Sequence, residues 1–326
     1  MRAAVHSHYG PPDVVQISEV EKPVPADGEV MIKVRAAAVN PLDRFCMCGI
    51  PYVARAVGGP GNLRRPKDVR LGVDVAGRVE AAGRNVTQFR PGDEVFGMCK
   101  GAFAEYACAP ESAVVLKPET VTFEQAAAAP VAAYTALQGL RDKGRIRAGQ
   151  QVLINGAAGG VGTFAVQIAK WFGAEVTGVC SSKNVELARS IGADRVIDYT
   201  EADFTRSSER YDLLFDCIGN HSFAACRRVL RPDGMHVVVG ASSQGRWIGP
   251  IGRMLRGVAL SRFAKWRIVT FIARSGQKDL AIIAELMASG KVTPVIDRCY
   301  RLDETPEAIR HLETKHARGK VIIVLP

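Results

Sequence analysis

The sequence contains few aromatic residues and no long apolar run, and these absences limit the class of protein. Aromatic side chains make up 7% of the 326 residues, and no window reaches the roughly 18 consecutive apolar residues of a membrane-spanning helix. The first residues begin a strand-like pattern without the apolar core of a secretory signal, so we expect a cytoplasmic location. With 47% hydrophobic and 23% charged residues, the chain has the composition of a folded globular protein.

Cysteine spacing typical of metal or disulfide frameworks is also absent. The eight cysteines include no C-x-x-C pair, so the sequence indicates neither a zinc ribbon nor a disulfide scaffold. Acidic residues are missing between Gly234 and Lys278, a stretch that holds several arginines, and the whole chain carries a formal charge of +10. This charge suits an anionic partner, which is either a phosphate-bearing ligand, a nucleic acid or an anionic membrane surface.

Two patterns of apolar residues follow one another along the chain. Residues 29–36 alternate with period two, and a turn at 91–93 leads into a further strand, which predicts a barrel of short antiparallel strands. From about residue 123, short apolar runs alternate with helical stretches, as in a parallel sheet with crossover helices. The expected fold class is α/β, with a barrel-like unit of antiparallel strands over the first 120 residues, a parallel sheet with crossover helices from about residue 123, and a final strand that returns to the first unit.

A glycine-rich turn between a strand and a helix is the strongest motif. It reads INGAAGGVG over residues 154–162, and apolar residues recur at helical spacing after it. Small residues let the backbone approach a pyrophosphate, while the free N–H groups and the dipole of the helix favour its negative charge. The motif predicts a dinucleotide site with contacts from Ala158, Gly159, Gly160 and Val161.

The end of the second strand of this domain indicates which nicotinamide cofactor binds. Proteins that bind NAD usually place a carboxylate there, whereas this chain has Ser181, Ser182 and Lys183, two hydroxyls and an ammonium that suit a 2′-phosphate. Lys183 is alternatively an ordinary surface lysine. Tyr199 ends the third strand, where it adds a hydroxyl or stacks on adenine. Together these residues predict NADPH.

Seven short motifs, spread over nearly the whole length, carry a resemblance to a known family. Through them the chain resembles the medium-chain dehydrogenase/reductase superfamily in its zinc-independent quinone oxidoreductase (zeta-crystallin-like) branch, and it is similar to the reticulon-interacting oxidoreductase-like members. The resemblance implies a GroES-like β-barrel domain at 1–122 and 271–326 and a Rossmann domain, a doubly wound parallel sheet, at 123–270, assembled as a homodimer. The motifs are YGPPDV (9–14), AVNPLD (38–43), GVDVAG (72–77), PGDEVF (91–96), GAFAEY (101–106), AAGGVG (157–162) and HARGK (316–320).

The residues at the metal positions of zinc-dependent relatives differ in this sequence. Those relatives carry a Cys where this chain has Asn40 and a His-Glu pair where it has Val73 and Asp74, and their four-cysteine lobe is missing. A catalytic zinc ion needs three protein ligands. We therefore expect no metal, and we expect NADPH to give hydride to an acceptor that is already electrophilic, a quinone or an α,β-unsaturated carbonyl.

Hydrogen-bond donors must then hold the negative charge that develops on the acceptor oxygen. The resemblance places the Asn40 amide near the nicotinamide, and Tyr52 and Thr135 are the other candidate catalytic donors. By residue type alone, Asn40 before a proline is as well explained by a turn, and Tyr52 by a pocket wall. Asp43 is expected to act as a scaffold residue that bonds to backbone.

Further cofactor contacts follow from the resemblance alone. The family binds nicotinamide and pyrophosphate through the turns after the fourth and fifth strands and through a basic residue near the C-terminus. In this sequence the implied contacts are Cys217, Ile218, Gly240, Ala241, Ser242, Arg318 and Lys320, with Asn40 and Thr135 also counted.

One departure from the family concerns the acceptor. Phe45 and Met47 stand where quinone oxidoreductases usually have a Tyr and an Arg, which favours an apolar acceptor. The glycine- and proline-rich insert at 52–70 is expected to be a loop beside the acceptor pocket, where it acts as a lid.

Two other functions stay open at this point. A protein that binds NADPH and attaches to a nucleic acid or an anionic membrane surface would use the acid-free stretch, where aromatic residues are interleaved with arginines. An enoyl reductase acting on carrier-bound thioesters would use the same stretch to dock an acidic carrier. We favour a reductase of small quinones or enones, because a basic stretch is common in a chain of pI about 9.3.

Overall fold

The computed structural model describes residues 1–50, 52, 66, 69–240, 249–263, 266–314 and 316–326. They form two compact units, one of Met1–Val131, Ser275–Gly290 and Pro294–Pro326 and one of Ala132–Arg274 and Lys291–Thr293. Within these ranges, no helix is both long enough and apolar enough to cross a bilayer.

The first unit is built mainly on antiparallel strands. Its strands are β1 (Arg2–Val5), β2 (Gln16–Glu19), β3 (Glu29–Val39), β4 (Asp74–Ala82), β5 (Glu94–Met98), β6 (Tyr106–Pro110), β7 (Val114–Leu116), β14 (Ile296–Arg301) and β15 (Lys320–Val324). The larger sheet has the order β14-β15-β3-β4-β5-β7, with β6 also paired to β3, and β1 pairs with β2 in a second sheet. The helices are α1 (Pro41–Cys48), α2 (Phe123–Ala128), α8 (Gln277–Ala288) and α9 (Thr305–Glu313).

Alternating apolar side chains explain how this sheet is held. Along β3, Val30, Ile32 and Val34 are fully or almost fully buried in one apolar cluster, while Lys33 and Arg35 face solvent. Period-two alternation of this kind is expected of a strand with one face on the core. The same cluster takes in Val321 and Ile323 of β15, so the last strand of the chain completes the core of the first unit.

The second unit is a parallel sheet with crossover helices. Its six strands lie in the order β10-β9-β8-β11-β12-β13 and all pair in parallel. Numbered within the unit, this is the order 3-2-1-4-5-6 of the Rossmann fold, which confirms the predicted doubly wound sheet. The strands are β8 (Gln151–Asn155), β9 (Glu175–Cys180), β10 (Arg195–Asp198), β11 (Tyr211–Asp216), β12 (Leu230–Val238) and β13 (Ile268–Thr270), and the helices are α3 (Pro130–Gln138), α4 (Gly160–Trp171), α5 (Val185–Ser190), α6 (Phe223–Arg228) and α7 (Gly249–Phe263).

The boundaries between the two units lie a few residues later in the sequence than the predicted limits. The first unit extends to Val131 because α2 packs on β3 and β4, whereas the predicted limit lies at 122. Helix α2 is preceded by Thr122, whose hydroxyl accepts from the backbone N–H of Gln125 at 3.2 Å. The return to the first unit likewise comes at Ser275, a few residues after the predicted position 271.

Candidate functional site

A buried polar cluster lies in the first unit where β3 ends and α1 begins. Asn40 precedes the first turn of α1, and its backbone N–H donates to Asp43 Oδ2 at 2.7 Å. The other oxygen of Asp43 accepts from the backbone N–H of Gly72 at 3.2 Å. Asp43 therefore bonds to backbone on both oxygens, which confirms its predicted scaffold role.

Strand register brings two further side chains to Asn40. Asp74 begins β4 and pairs with Ala38 of β3, while Val321 of β15 pairs with Val39 of the same strand. Lys320 therefore enters the cluster from the last strand. Its Nζ donates to Asn40 Oδ1 at 2.5 Å and lies 3.4 Å from Asp74 Oδ2.

The cluster is almost completely buried. The exposed fractions are 2% for Asn40, 0% for Asp74 and 4% for Lys320. Burial raises the pKa of Asp74, and the charge of Lys320 and the hydrogen bond from Asn40 offset that rise in part. Burial likewise raises the pKa of Asp43 to about 7, against the lowering effect of the Asn40 backbone N–H. The ammonium of Lys320 lowers the pKa of both carboxyl groups and is paired with Asp74, so it supplies positive charge to the cluster.

The predicted donor role of the Asn40 amide does not fit this arrangement. Its Nδ2 donates to Ala38 O at 3.1 Å and to Asp74 Oδ2 at 2.9 Å, and an amide nitrogen has only two hydrogens. Asp74, which the sequence suggested only as an insufficient metal ligand, is thus the partner of both Asn40 and Lys320. Asp74 comes beside Asn40 only through the pairing of β3 with β4, which neither segment shows by itself.

Arg318, Tyr52 and Thr135 differ in exposure and in the element that carries them. Arg318 is exposed, close before β15, and Tyr52 is half-buried in a segment whose surrounding residues fall outside the described ranges. Thr135 is half-buried in α3, in the second unit. The predicted lid loop lies mostly outside the described residues, and so do the predicted contacts Ala241 and Ser242.

The glycine-rich turn of the second unit has the geometry of a phosphate-binding loop. Gly156 has a φ of +88°, a conformation that favours glycine. A Cβ on Gly162 would lie 2.0 Å from the carbonyl oxygen of Gly156, so only glycine lets the helix approach the turn this closely. Ala158, Gly159, Gly160 and Val161 occupy the entry into α4, whose first-turn N–H groups suit a pyrophosphate. These residues fit the predicted dinucleotide.

The strand ends beside this turn carry the groups predicted to select the cofactor, together with a carboxylate. Lys183 is exposed and makes no ion pair among the residues that are described, Ser181 is half-buried, and Tyr199 is exposed at the end of β10. The hydroxyls of Ser182 and Thr200 are 2.9 Å apart, and Thr200 Oγ1 donates to Asp198 Oδ1 at 2.7 Å. A hydrogen bond from Ser182 and those from Thr200 lower the pKa of Asp198.

Asp198 corrects the expectation that no carboxylate stands at this edge. The end of the second strand itself carries no carboxylate, but β9 and β10 are parallel neighbours in which Asp198 pairs with Cys180. Because neighbouring parallel strands end at the same edge of a sheet, the carboxylate lies beside the serine and lysine positions.

A second buried carboxylate holds the turn after β11. Asp216 Oδ1 accepts from the backbone N–H groups of Ile218 at 3.2 Å and Gly219 at 2.8 Å, and from Asn155 Nδ2 at 2.8 Å. Burial favours the neutral acid, but hydrogen bonds from His236, Gly219 and Asn155 lower the pKa of Asp216 to about 2. The predicted contacts Cys217 and Ile218 are thereby fixed in place.

The turn after β12 lies against the turn after β11. A Cβ on Gly240 would come within 1.7 Å of the carbonyl oxygen of Cys217, and the Gly240 N–H donates to Asp216 O at 3.0 Å. The structure therefore brings Cys217, Ile218 and Gly240 together at the carboxyl edge of the sheet, near the strand that leads into the glycine turn.

One group of side chains in the described part of the chain has the spacing of a metal site. Ligand atoms of Asp216, Cys226 and His236 all lie within 4.8 Å of one another and are buried. However, Asp216 Oδ2 is 3.3 Å from Nη2 of Arg253 and 3.3 Å from Nε2 of His236. A guanidinium already neutralises this carboxylate, so the group fits a structural network better than a metal ion.

Two family models match parts of the chain. Residues 26–119 match the model of the alcohol dehydrogenase GroES-like domain, and residues 191–323 match the model named zinc-binding dehydrogenase. The GroES-like and Rossmann-like parts of the predicted fold class are thereby confirmed.

Similar proteins cover the whole chain. The chain is 33% identical to 2-methylene-furan-3-one reductase of Solanum lycopersicum over 99% of its own length and 79% of that protein. It is also 33% identical to the mitochondrial NAD(P)H oxidoreductase RTN4IP1 of Mus musculus, over 99% of its length and 89% of that protein. The quinone oxidoreductase from Coxiella burnetii has a similar structure, with a TM-score of 0.86 and 28% identity over 100% of this chain and 99% of that chain.

Proposed function

Because the chain belongs to the medium-chain dehydrogenase/reductase superfamily, we propose that it is a zinc-independent, NADPH-dependent reductase of quinones or α,β-unsaturated carbonyls. Similarity over 99% of this chain to a 2-methylene-furan-3-one reductase and to an NAD(P)H oxidoreductase supports this proposal most directly. The similarity to a quinone oxidoreductase structure supports the wider acceptor class.

The residues of the second unit suit the cofactor. The first turn of α4 would bind the pyrophosphate through its N–H groups, and Gly156 and Gly162 leave room for that approach. Asp216 would keep the turn at Cys217 and Ile218 rigid beside the nicotinamide. When bound, NADPH supplies the hydride.

Preference for NADPH over NADH is the finer part of the proposal. The ammonium of Lys183 is exposed and has no ion-pair partner among the residues that the structure describes, which supports it, because a 2′-phosphate offers a strong ionic acceptor there. Asp198 acts in the opposite direction, since its carboxylate repels that phosphate. We infer that the attraction of the 2′-phosphate by Lys183 exceeds its repulsion by Asp198. The enzyme therefore prefers NADPH, but Asp198 reduces the preference, so NADH is still used at a measurable rate.

A zinc-independent reductase stabilises the negative charge on the acceptor oxygen with hydrogen-bond donors instead of a metal ion. A quinone or enone spreads incoming negative charge over its own conjugated system, so a few hydrogen-bond donors are enough. Phe45 is half-buried on α1 and supports an apolar acceptor, whereas Met47 is 0% exposed in the apolar core of the first unit and cannot contact an acceptor, which corrects the expectation for that residue. Steady-state reduction of a quinone and an enone with each nicotinamide, in chelator-treated buffer, tests both parts of the proposal.

Homodimer formation is proposed from family membership, and its test is independent of catalysis. Light scattering coupled to size exclusion gives the mass of the particle, for which we expect twice 35.1 kDa. A monomeric mass at micromolar concentration would contradict the dimer without affecting the reductase.

A second candidate function, attachment to an anionic surface, is supported by α7. Leu255, Val258 and Phe263 are exposed on this helix next to the exposed Arg256 and Arg262. Apolar and basic side chains on one helix face are typical of binding to anionic lipid surfaces. Salt-dependent flotation with phosphatidylserine vesicles would favour this function, and equal recovery with neutral vesicles would oppose it.

A further inference from the structure

One arginine of the acid-free stretch points into the second unit instead of toward solvent. The side chain of Arg253 on α7 is 15% exposed, whereas Arg256 and Arg262 of the same helix are exposed. Nη1 of Arg253 donates to His221 O at 3.0 Å, and its Cζ atom lies 4.5 Å from the ring centre of Phe223. A carbonyl and an aromatic face therefore hold this guanidinium in a fixed position.

The guanidinium meets one oxygen of a carboxylate whose other oxygen holds a turn. Oδ2 of Asp216 lies 3.3 Å from Nη2 of Arg253 and 3.3 Å from Nε2 of His236. Oδ1 accepts from the backbone N–H groups of Ile218 and Gly219. Asp216 is 1% exposed, so little water competes with these partners. The carboxylate therefore connects α7 and β12 to the turn after β11.

Arg253 acts on the direction of this carboxylate more than on its charge. Burial raises the pKa of Asp216, but hydrogen bonds from His236 and Gly219 are among the contacts that lower it to about 2. These contacts already keep the group ionised at neutral pH. The terminal torsion of an aspartate is broad, so partners on both oxygens are needed to fix it. Loss of Arg253 removes one of the two side chains bonded to Oδ2 and frees this torsion.

The turn that Asp216 holds lies against the glycine turn. A Cβ on Gly156 would come within 2.7 Å of Cδ1 of Ile218, so the Ile218 side chain covers the first glycine of the motif. Asn155, which precedes that glycine, donates to Asp216 Oδ1 at 2.8 Å. Ile218 remains 41% exposed. A dinucleotide bound at the glycine turn therefore lies next to the turn at 217–219.

We propose that Arg253 is a positioning residue for the nicotinamide half of the cofactor, which it orders through Asp216 and the turn at 217–219. This inference rests on the NADPH binding proposed above for the second unit. Arg253 acts through Asp216 and needs no contact with the cofactor. The adenosine half would bind at the start of α4 and at the ends of β9 and β10, so Arg253 affects the nicotinamide half alone.

The test compares NADPH with 2′-phospho-ADP-ribose, which is NADPH without its nicotinamide ring. For Arg253→Met we expect the dissociation constant of NADPH to rise about tenfold, the effect of losing one hydrogen bond between charged groups. The constant for 2′-phospho-ADP-ribose should change by less than about twofold, because its phosphates use the glycine turn and the strand ends. Isothermal titration calorimetry gives both constants on the same protein.

The matched control is Arg256→Met. Arg256 is exposed on the same helix and has no ion pair within the part of the chain that the structure describes. Both dissociation constants should stay within about twofold of wild type, as is usual for a surface substitution. Retained binding of 2′-phospho-ADP-ribose by Arg253→Met also shows that the second unit of that variant is folded.

A second variant covers the case in which Arg253→Met does not fold. Arg253→Lys keeps the positive charge but replaces the planar fork of N–H donors with an ammonium. We expect a smaller loss of NADPH affinity than in the Met variant, again with unchanged binding of 2′-phospho-ADP-ribose. An equal loss for the two ligands in this variant would contradict the proposal.

Two results with Arg253→Met would overturn the proposal. Equal weakening of both ligands would show that Arg253 serves only the folding of the unit. Unchanged binding of both would show that the turn at 217–219 does not depend on Arg253. The proposed function fails separately, because wild-type protein that binds NADPH and reduces no acceptor contradicts the reductase alone. Wild-type protein that does not bind NADPH would refute both.

Discussion

The Nζ atom of Lys320 lies 2.5 Å from Oδ1 of Asn40, although 280 positions separate the two residues in the chain. The antiparallel pairing of β15 with β3, in which Val321 faces Val39, creates this contact. The last strand thus contributes both to the apolar core of the first unit and to its buried polar cluster. One strand therefore contributes to both the packing of the core and the arrangement of the cluster.

Replacing Lys183 by Ala should weaken NADPH binding far more than NADH binding. A hydrogen bond between charged groups contributes about 1.5–3 kcal/mol, which is roughly a 10–100-fold change in the dissociation constant. NADH has no 2′-phosphate, so its affinity should change by less than about twofold. Fluorescence titration with both nucleotides gives the two constants, and Lys143→Ala, another exposed lysine of the second unit, is the control. Equal losses for both nucleotides would refute the phosphate assignment.

Replacing Asp198 by Asn should have the opposite effect on NADPH. The amide keeps an acceptor for Thr200 but removes the negative charge beside the proposed phosphate position. We expect NADPH to bind about 3–10-fold more tightly at low salt, with a smaller gain at high salt because exposed charges are screened. Glu186→Gln, an exposed carboxylate on α5, should change the constant by less than about twofold. Weaker NADPH binding by the Asp198 variant would show that its carboxylate supports the site.

The glycine turn should not tolerate a side chain at Gly162. The added Cβ of Gly162→Ala would lie 2.0 Å from a backbone oxygen that cannot move aside without opening the turn. Binding of both nucleotides should fall at least about tenfold, since the pyrophosphate contact is common to them. Gly28→Ala is the matched control, because a Cβ there meets nothing within 4 Å. Unchanged binding by the Gly162 variant would place the dinucleotide elsewhere.

Asp216 should make the stability of the fold depend on acid pH. Its pKa of about 2 lies below the roughly 3.9 of an unfolded Asp, so the ionised group stabilises the folded chain above about pH 4. That contribution, on the order of 2 kcal/mol, is lost as the pH falls from about 4 toward 2. Urea unfolding at several pH values should therefore show the difference between wild type and Asp216→Asn shrinking over this interval. A difference that stays constant with pH would show that Asp216 stabilises the fold without its charge.

Local patterns in the sequence predicted the parts of the fold that local interactions determine. The strand, glycine turn and helix around 151–171 are contiguous, so spacing alone predicted β8, the turn and α4. Period-two alternation predicted β3 for the same reason. Asp43 was assigned correctly because its partners, Asn40 and the Gly72 turn, lie in motifs that the sequence shows.

Contacts that depend on strand register were not predictable in this way. Asp198 reaches the cofactor edge only because β10 pairs beside β9, and Lys320 reaches Asn40 only because β15 pairs beside β3. Neither pairing leaves a local signal in the sequence. The sequence also could not show that both amide hydrogens of Asn40 are already hydrogen-bonded, to Ala38 O and Asp74 Oδ2. The residue type alone offers two free N–H groups, and their partners are known only once the cluster is assembled.

The most direct measurement is nicotinamide absorbance against time, with NADPH and NADH in parallel, over a panel of ortho-quinones, para-quinones and enones in chelator-treated buffer. We predict that NADPH is oxidised with a kcat/KM at least about tenfold above that of NADH and that chelator does not change the rate. The best acceptor then identifies the substrate class. Tight NADPH binding without turnover on any acceptor, or turnover only after zinc is added, would contradict a zinc-independent reductase.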